Sequence, residues 1–291
     1  MTPRHFATLL LLAAIWGAAF LFLRIAAPVL GPAVLSVTRM LIAAIFLTGV
    51  AWALGKGRPQ RKDWRHYLIL GGLSSALPFL LFGYAATRLP ASMLAILNST
   101  APFWGALIAA WLTRSLPSGR KLMGLLLGVS GVGLLIGFDP SVIHAGTGLA
   151  IASALLAALS YAVATHYMKT ERGIEPYTNA QGNAWAATVL LAPTVFAFPA
   201  PGTPSALVLG ATLTLGILCS GVAYLMYFRL IAQIGAASSL TVAFLIPMFG
   251  VLWGTLLLDE AIGWHTLLGM TSILVGTALV TGLSLRKIRA V

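Results

Sequence analysis

Residues 91–113 read ASMLAILNSTAPFWGALIAAWLT, and residues 236–257 read AASSLTVAFLIPMFGVLWGTLL. Each is an uncharged apolar run close to the ~20 residues that a helix needs to cross a bilayer. The two runs also correspond. At an offset of 145 (247 − 102), Pro102 falls on Pro247, Gly105 on Gly250 and Ala91 on Ala236. The same offset continues outward. Gly71 meets Gly216, Ser75 meets Ser220, Phe79 meets Tyr224 and Phe82 meets Tyr227. Gly124, Gly131 and Gly137 meet Gly269, Gly276 and Gly282, while Trp16 meets Tyr161 and Arg24 meets Lys169.

Ten apolar segments run through the chain: 6–27, 34–54, 66–87, 91–113, 120–138, 146–168, 178–199, 205–228, 236–257 and 263–285. Their connections are mostly short, and no Ser-rich or acidic linker divides them. The chain therefore reads as a single membrane domain, an all-α integral membrane protein of ten transmembrane helices. The offset splits it into repeats 1–143 (helices 1 to 5) and 144–291 (helices 6 to 10). Five is odd, so the second repeat enters the membrane inverted. The charges agree: Arg114, Arg120 and Lys121 follow helix 4, whereas Asp259 and Glu260 follow helix 9. Inverted repeats are typical of secondary transporters, whose substrate site lies near the midplane between the halves.

Composition points the same way. Of 291 residues, 59% are hydrophobic and 8% are charged, against about 25% charged in soluble domains. The mean hydropathy is +0.95. A net charge of +12 would suggest a nucleic-acid partner in a soluble protein, but here the Lys and Arg residues sit between apolar runs, where they set topology. Fifteen of the 18 basic residues, all but Arg24, Arg39 and Arg88, fall on one side of a ten-span arrangement. Nine or eleven spans would mix the two sides. The positive-inside rule puts both termini on the cytoplasmic side. The lone Cys219 excludes an internal disulfide and reads as a small buried side chain. The first segment is longer than the ~7–15 residue core of a signal peptide, so Ala26-Ala27-Pro28 is not expected to mark a cleavage site.

Several short patterns occur in order: Trp16-Gly17-Ala18 in helix 1, Pro32 before helix 2, and Arg39-Met40-Leu41-Ile42-Ala43-Ala44 within it. Leu97 to Gly105 carries the helix-4 proline, Leu245-Ile246-Pro247-Met248-Phe249-Gly250 is its helix-9 counterpart, and Leu257-Leu258-Asp259-Glu260 follows. Together they resemble the drug/metabolite transporter superfamily in its EamA-type ten-helix form, over nearly the whole chain. One departure is that Arg114-Ser115 stands where an acidic residue often follows helix 4. The resemblance implies two inverted five-helix repeats around a central cavity lined by helices 1, 3, 4, 6, 8 and 9. Among bacterial members, the chain looks most like exporters of aromatic and neutral amino acids.

A proline inside a helix frees the carbonyl four residues earlier. Pro78, Pro102 and Pro247 would free those of Ser74, Asn98 and Ala243. These are candidate gating bends, or else static kinks satisfied by nearby Ser and Thr. The Asn98 amide needs hydrogen-bond partners inside the membrane, either on a neighbouring helix or on a substrate. Arg39, near the outer end of helix 2, pairs with a substrate carboxylate or serves structure alone. Helices expected to line the cavity carry Trp16, Phe79, Tyr161, Tyr224 and Tyr227, with Trp185 of helix 7 at its edge. With Asn98, these are the candidate substrate-binding residues. Their rings offer apolar contact and a face for an ammonium group.

The six acids, Asp63, Asp139, Glu171, Glu175, Asp259 and Glu260, lie in loops or at span ends. Proton-driven efflux of cations commonly uses a carboxylate within the membrane. The chain therefore reads as a facilitator driven by its solute gradient. The alternative is a proton-coupled multidrug or metabolite antiporter, with His166 in place of the carboxylate. The scattered histidines and the absence of Gly-x-Ser-x-Gly and His-Glu-x-x-His patterns argue against an enzyme. No cofactor or metal is expected. The expected partners are a small-molecule substrate and membrane lipid, with no nucleic acid. Gly124, Gly128, Gly133 and Gly137 form a small-residue stripe in helix 5 that suits close packing within one chain, giving a monomer or a weak homodimer.

Overall fold

The computed structural model describes residues 3–137, 146–170, 174–239 and 242–281. The junction of the repeats at 143/144 lies outside them, as do Asp139, Glu171, Arg172, Arg286, Lys287 and Arg289. The described residues are all helix, turn or coil, without a strand.

Helix Pro3–Ala53 holds 51 residues. At 1.5 Å per residue it would be about 77 Å long, more than twice a ~30 Å hydrocarbon core. Gly31 breaks it at φ 71° and ψ 162°, a conformation that glycine reaches at no steric cost. The break gives α1 (3–30) and α2 (32–53). Helix α3 (64–86) contains a π-helical turn at Gly72–Ala76. Helix α4 (Ala91–Leu112) is discontinuous: Ala91–Asn98 ends in a turn at Ser99 and Thr100, and Ala101–Leu112 resumes. Next come α5 (Gly119–Gly137), α6 (Thr147–Thr170) and α7 (Pro176–Leu191), the last followed by a short turn of helix at Thr194–Ala197. Helix α8 (206–239) carries a second π-helical segment at Leu215–Val222. Helices α9 (Val242–Leu258) and α10 (Trp264–Thr281) complete the ten.

One boundary moves. Helix α8 continues to Ser239 instead of stopping at 228, so α9 begins at Val242, not 236. Residues 229–239 (RLIAQIGAASS) hold good helix formers with Gly235 as the one interruption, and nothing there ends a helix.

The two halves are related in local detail. The π turns occupy equivalent stretches of α3 and α8. Among the described residues, Arg114 and Asp259 are the non-glycine residues with positive φ, at 48° and 53°, and they differ by 145. Helix α5 packs against α10 through reciprocal glycines. A Cβ on Gly131 would lie 2.8 Å from the Gly269 carbonyl oxygen, and one on Gly269 would lie 2.8 Å from that of Gly131. Gly71 abuts the backbone of Asn183 and Ala187 in α7, and its equivalent Gly216 abuts Arg39 and Ile42 in α2. The second helix of each half thus packs on the third helix of the other. Within the glycine stripe of helix 5, Gly124 and Gly128 meet α10 or Phe103, whereas Gly133 has nothing within 4 Å. Gly131, rather than Gly133, completes the packing face.

Apolar side chains cover the outside, including Trp52, Trp111, Leu126, Val129 and Phe196. This is the surface a bilayer requires, with aromatics toward the ends. Arg24 reaches from α1 to the C-terminal end of α3, where its Nη1 donates to the Ala86 carbonyl at 3.1 Å. At the same end, the Glu260 carboxylate accepts from the N–H groups of Ala91 at 2.6 Å and Ser92 at 3.0 Å. It caps the start of α4 across the repeat boundary.

Candidate functional site

A cavity of about 720 Å³ lies between the halves. Helices α1, α3, α4, α6, α8 and α9 line it, as the resemblance implies, and α2 adds Arg39. Its mouth carries Lys121 of α5 and Val280 and Thr281 of α10, at the end of the bundle with the basic loops. Lys121 and Thr281 are exposed. Toward the other end, Ala26, Ala27, Leu89, Ala91 and Leu94 are fully buried. The cavity is therefore open at the Lys121 end and sealed at the Glu260 end.

The aromatic wall is built from repeat-related pairs. Trp16 packs on Tyr227 with centroids 5.2 Å apart, and Tyr161 packs on Phe82 at 6.3 Å, which are equivalent partners at the offset of 145. Trp16 is held by its indole N–H, which donates to the Cys219 carbonyl at 3.1 Å. That carbonyl lies in the π-helical segment of α8. Phe79 and Tyr224, again equivalent, also line the cavity, and Phe20 extends the wall beside Phe82 at 5.6 Å.

Of the sequence candidates, Trp16, Arg39, Phe79, Asn98, Pro102, Tyr161 and Tyr224 come together around this space. Tyr227 stands behind Trp16 and is not part of the lining. Trp185 is placed elsewhere: its indole N–H donates to Thr48 at 3.0 Å, between α7 and α2, and no residue of α7 lines the cavity. Pro78 follows the π turn of α3, where the Ser74 hydroxyl donates to the Leu70 carbonyl and Ser74 also accepts from Asn183. Sequence reasoning did not place Phe20, Lys121 or Phe244 at the cavity, reading Lys121 as a topology charge alone, and it treated Cys219 as packing alone. A helix-face plot of α1 would have found Phe20, four residues from Trp16.

The two equivalent prolines differ. Pro102 sits in the first turn of the second half of α4, where its missing N–H costs nothing. Pro247 lies inside the continuous helix α9. At the α4 break, Ser99 donates to the Ile96 carbonyl, Thr100 to Leu97, and Thr277 of α10 to Ser99. Asn98 closes the first half-helix. Its side-chain amide makes no hydrogen bond among the described residues and is half-buried against the cavity. Ala243, whose carbonyl Pro247 frees, lines the same space.

Arg39 is 6% exposed. Its Nε donates to the Ser220 hydroxyl at 2.9 Å, and its guanidinium carbon stands 3.9 Å above the Phe79 ring. At the mouth, Nδ1 of His166 faces the Ala162 carbonyl at 2.9 Å. A carbonyl only accepts, so Nδ1 carries the proton and Nε2 is left for the cavity side. The described lining residues include three basic side chains, Arg39, Lys121 and His166, and no carboxylate. The arrangement can enclose a small, partly apolar solute between ring faces and present it with an amide and a buried guanidinium.

This architecture is shared with known proteins. A solved crystal structure superposes with a TM-score of 0.67 at 17% sequence identity, covering 96% of this chain and 97% of its own. An uncharacterized transporter of Archaeoglobus fulgidus is 29% identical over 281 residues, 92% of this chain and 93% of that protein. A probable terminal-alkyne amino-acid exporter of Streptantibioticus cattleyicolor is 24% identical over 238 residues, 80% and 78% of the two chains. Protein PecM of Dickeya dadantii is 24% identical over 272 residues, 93% and 90%. The model of the EamA-like transporter family matches twice, at residues 6–137 and 148–282, once for each inverted half. The chain belongs to the EamA-like transporter family, within the drug/metabolite transporter superfamily, and is a multi-pass membrane transporter.

Proposed function

We propose that the protein exports neutral and aromatic amino acids and similar small metabolites by alternating access, as a facilitator driven by the solute gradient. The observation that carries this reading is the cavity wall itself. Trp16, Phe79, Tyr161 and Tyr224 surround a space of about 720 Å³ into which the uncommitted Asn98 amide faces. Such a volume lies within the ~300–1,000 Å³ typical of small-ligand sites. The Streptantibioticus relative, described as a probable amino-acid exporter, supports the substrate class.

In this reading the chain is one membrane domain whose halves meet near 143/144, in a bacterial inner membrane with both termini cytoplasmic. It works as a monomer or weak homodimer, without nucleic acid and without catalysing a reaction. The Lys121 end is then cytoplasmic, and the conformation is inward-open. The broken helix α4 and the intact α9 give the halves unequal flexibility, with Pro102 at the hinge. Pro78 and Pro247 act as fixed kinks, Tyr227 supports Trp16, and Trp185 ties α7 to α2. A second reading, proton-coupled efflux, is favoured by His166 lining the mouth with Nε2 free of the Ala162 bond.

Flux of radiolabelled phenylalanine and leucine into liposomes holding the purified protein separates the two. The facilitator gives flux above empty liposomes without a pH gradient and is indifferent to collapsing one. Flux that appears only with a pH gradient, and disappears in His166→Gln, overturns the facilitator in favour of the antiporter.

A further inference from the structure

A buried guanidinium must have its charge and its five N–H donors satisfied, because removing it from water is costly otherwise. Arg39 meets this demand in part. Nε–H is committed to Ser220, and one face rests on Phe79. No carboxylate pairs with it among the described residues, and the terminal nitrogens make no hydrogen bond there. Yet these nitrogens are not sealed in apolar packing either. Among the described residues, the buried side-chain polar atoms without a partner are those of Tyr67, Trp104 and Gln181, so the terminal donors of Arg39 reach the cavity that it lines.

The geometry points to a carboxylate subsite at Arg39: the cavity takes small monocarboxylates with an apolar or aromatic tail, and the amino group of an amino acid is tolerated but not required. This rests on the proposed function in taking the cavity as the substrate's path, and deepens it by naming which end of the substrate is recognised. A planar guanidinium fork matches a carboxylate with two parallel hydrogen bonds. Held through Nε by Ser220, the fork keeps its outer edge for the ligand. The tail then lies along the ring wall of Trp16, Phe20 and Tyr161. An ammonium group finds the opposite situation. The described lining offers it no carboxylate, Arg39 and Lys121 repel it, and the guanidinium already occupies a face of Phe79. The other basic groups, Lys121 and His166, stand toward the mouth, so the deep site holds a single cation. That suits one negative charge and not a phosphate ester.

Saturation-transfer NMR on the protein in lipid nanodiscs tests this without depending on transport. The probes are 3-phenylpropionate, which keeps the carboxylate, phenethylamine, which keeps the ammonium, and phenylalanine, which has both. The expected result is that 3-phenylpropionate binds and is displaced by phenylalanine, while phenethylamine binds at least about tenfold more weakly, the scale of one charge-assisted contact. Arg39→Gln should lower 3-phenylpropionate binding by about 10- to 100-fold. Arg39→Lys, which keeps the charge and loses the fork, should fall between. The wild-type ligand series stands even if Arg39→Gln fails to fold. Binding of phenethylamine without 3-phenylpropionate overturns the subsite while leaving amino-acid export intact. Binding of 3-phenylpropionate without phenylalanine keeps the subsite and removes the amino-acid reading. Binding of neither analogue, or binding of 3-phenylpropionate unchanged in a folded Arg39→Gln, overturns the subsite.

Discussion

Gly124 of α5 and Gly276 of α10 press their backbones together: a Cβ on Gly124 would lie 2.7 Å from the Gly276 carbonyl oxygen, and one on Gly276 would lie 2.6 Å from that of Gly124. The contact recurs as Gly131 on Gly269, because Gly124 corresponds to Gly269 and Gly276 to Gly131. The two helices therefore cross at an axis that relates the halves. Close approach of this kind is a main source of helix association in lipid, where no hydrophobic drive acts between apolar surfaces.

Neither glycine tolerates a side chain. Gly124→Val and Gly276→Val should each destabilise the protein by about 1–3 kcal/mol or more, the usual cost of overpacking. Gly133→Val, placed where nothing lies within 4 Å, should be close to neutral. Thermal unfolding in detergent distinguishes the three.

The Glu260 cap on α4 is a second link between the halves at the sealed end. Glu260→Ala leaves the N–H groups of Ala91 and Ser92 without their acceptor. A lost cap costs about 0.5–2 kcal/mol. Thermal stability should fall accordingly. Because the cap spans the closed end, labelling of a cysteine placed at Leu94 should become faster than in the parent.

The cavity is open at one end only, and thiol accessibility reports which. In a Cys219→Ala background, Ala109→Cys should react with a membrane-impermeant maleimide applied from the Lys121 side, and not from the other. Leu94→Cys, fully buried at the sealed end, should react slowly from either side in the resting protein. The reverse pattern contradicts the conformation described above.

Trp16 and Tyr161 are repeat equivalents, yet their replacements should differ. Trp16→Phe removes the hydrogen bond to the Cys219 carbonyl and loosens the packing on Tyr227. It should lower stability by about 0.5–1.5 kcal/mol, the net worth of one hydrogen bond. Among the described residues the Tyr161 hydroxyl makes no such bond to the opposite half, so Tyr161→Phe should change flux or substrate preference with little change in melting temperature.

Much of this fold was legible in the sequence for a physical reason. A lipid-spanning helix must be apolar for about 20 residues, and glycine is needed wherever two backbones touch, so the spans and the 145-residue offset are written in residue types. Hydrogen-bond register is not. Nothing in GLSSA or LGILCSGV announces a π turn, and the α8 turn forms without the proline that follows the α3 one. The α4 break at Ser99 and Thr100 was foreshadowed by Pro102, but the identical signal at Pro247 leaves α9 continuous. Rotation of a helix about its axis is also hidden when all its faces are apolar. Arg39 could snorkel outward or turn inward by composition alone, and packing of Gly216 on its backbone sets the inward choice. The same ambiguity put Trp185 at the cavity edge, whereas its indole binds Thr48.

On the proposed function, neutral and aromatic amino acids cross through the ring-walled cavity between the halves without a proton gradient. Counterflow of labelled phenylalanine into liposomes preloaded with unlabelled phenylalanine, at equal pH on both sides, tests it most directly. Transient accumulation above empty liposomes is expected, reduced about tenfold or more in Asn98→Ala by the loss of one buried polar contact. Counterflow that is absent at equal pH, or that Asn98→Ala leaves unchanged, contradicts it.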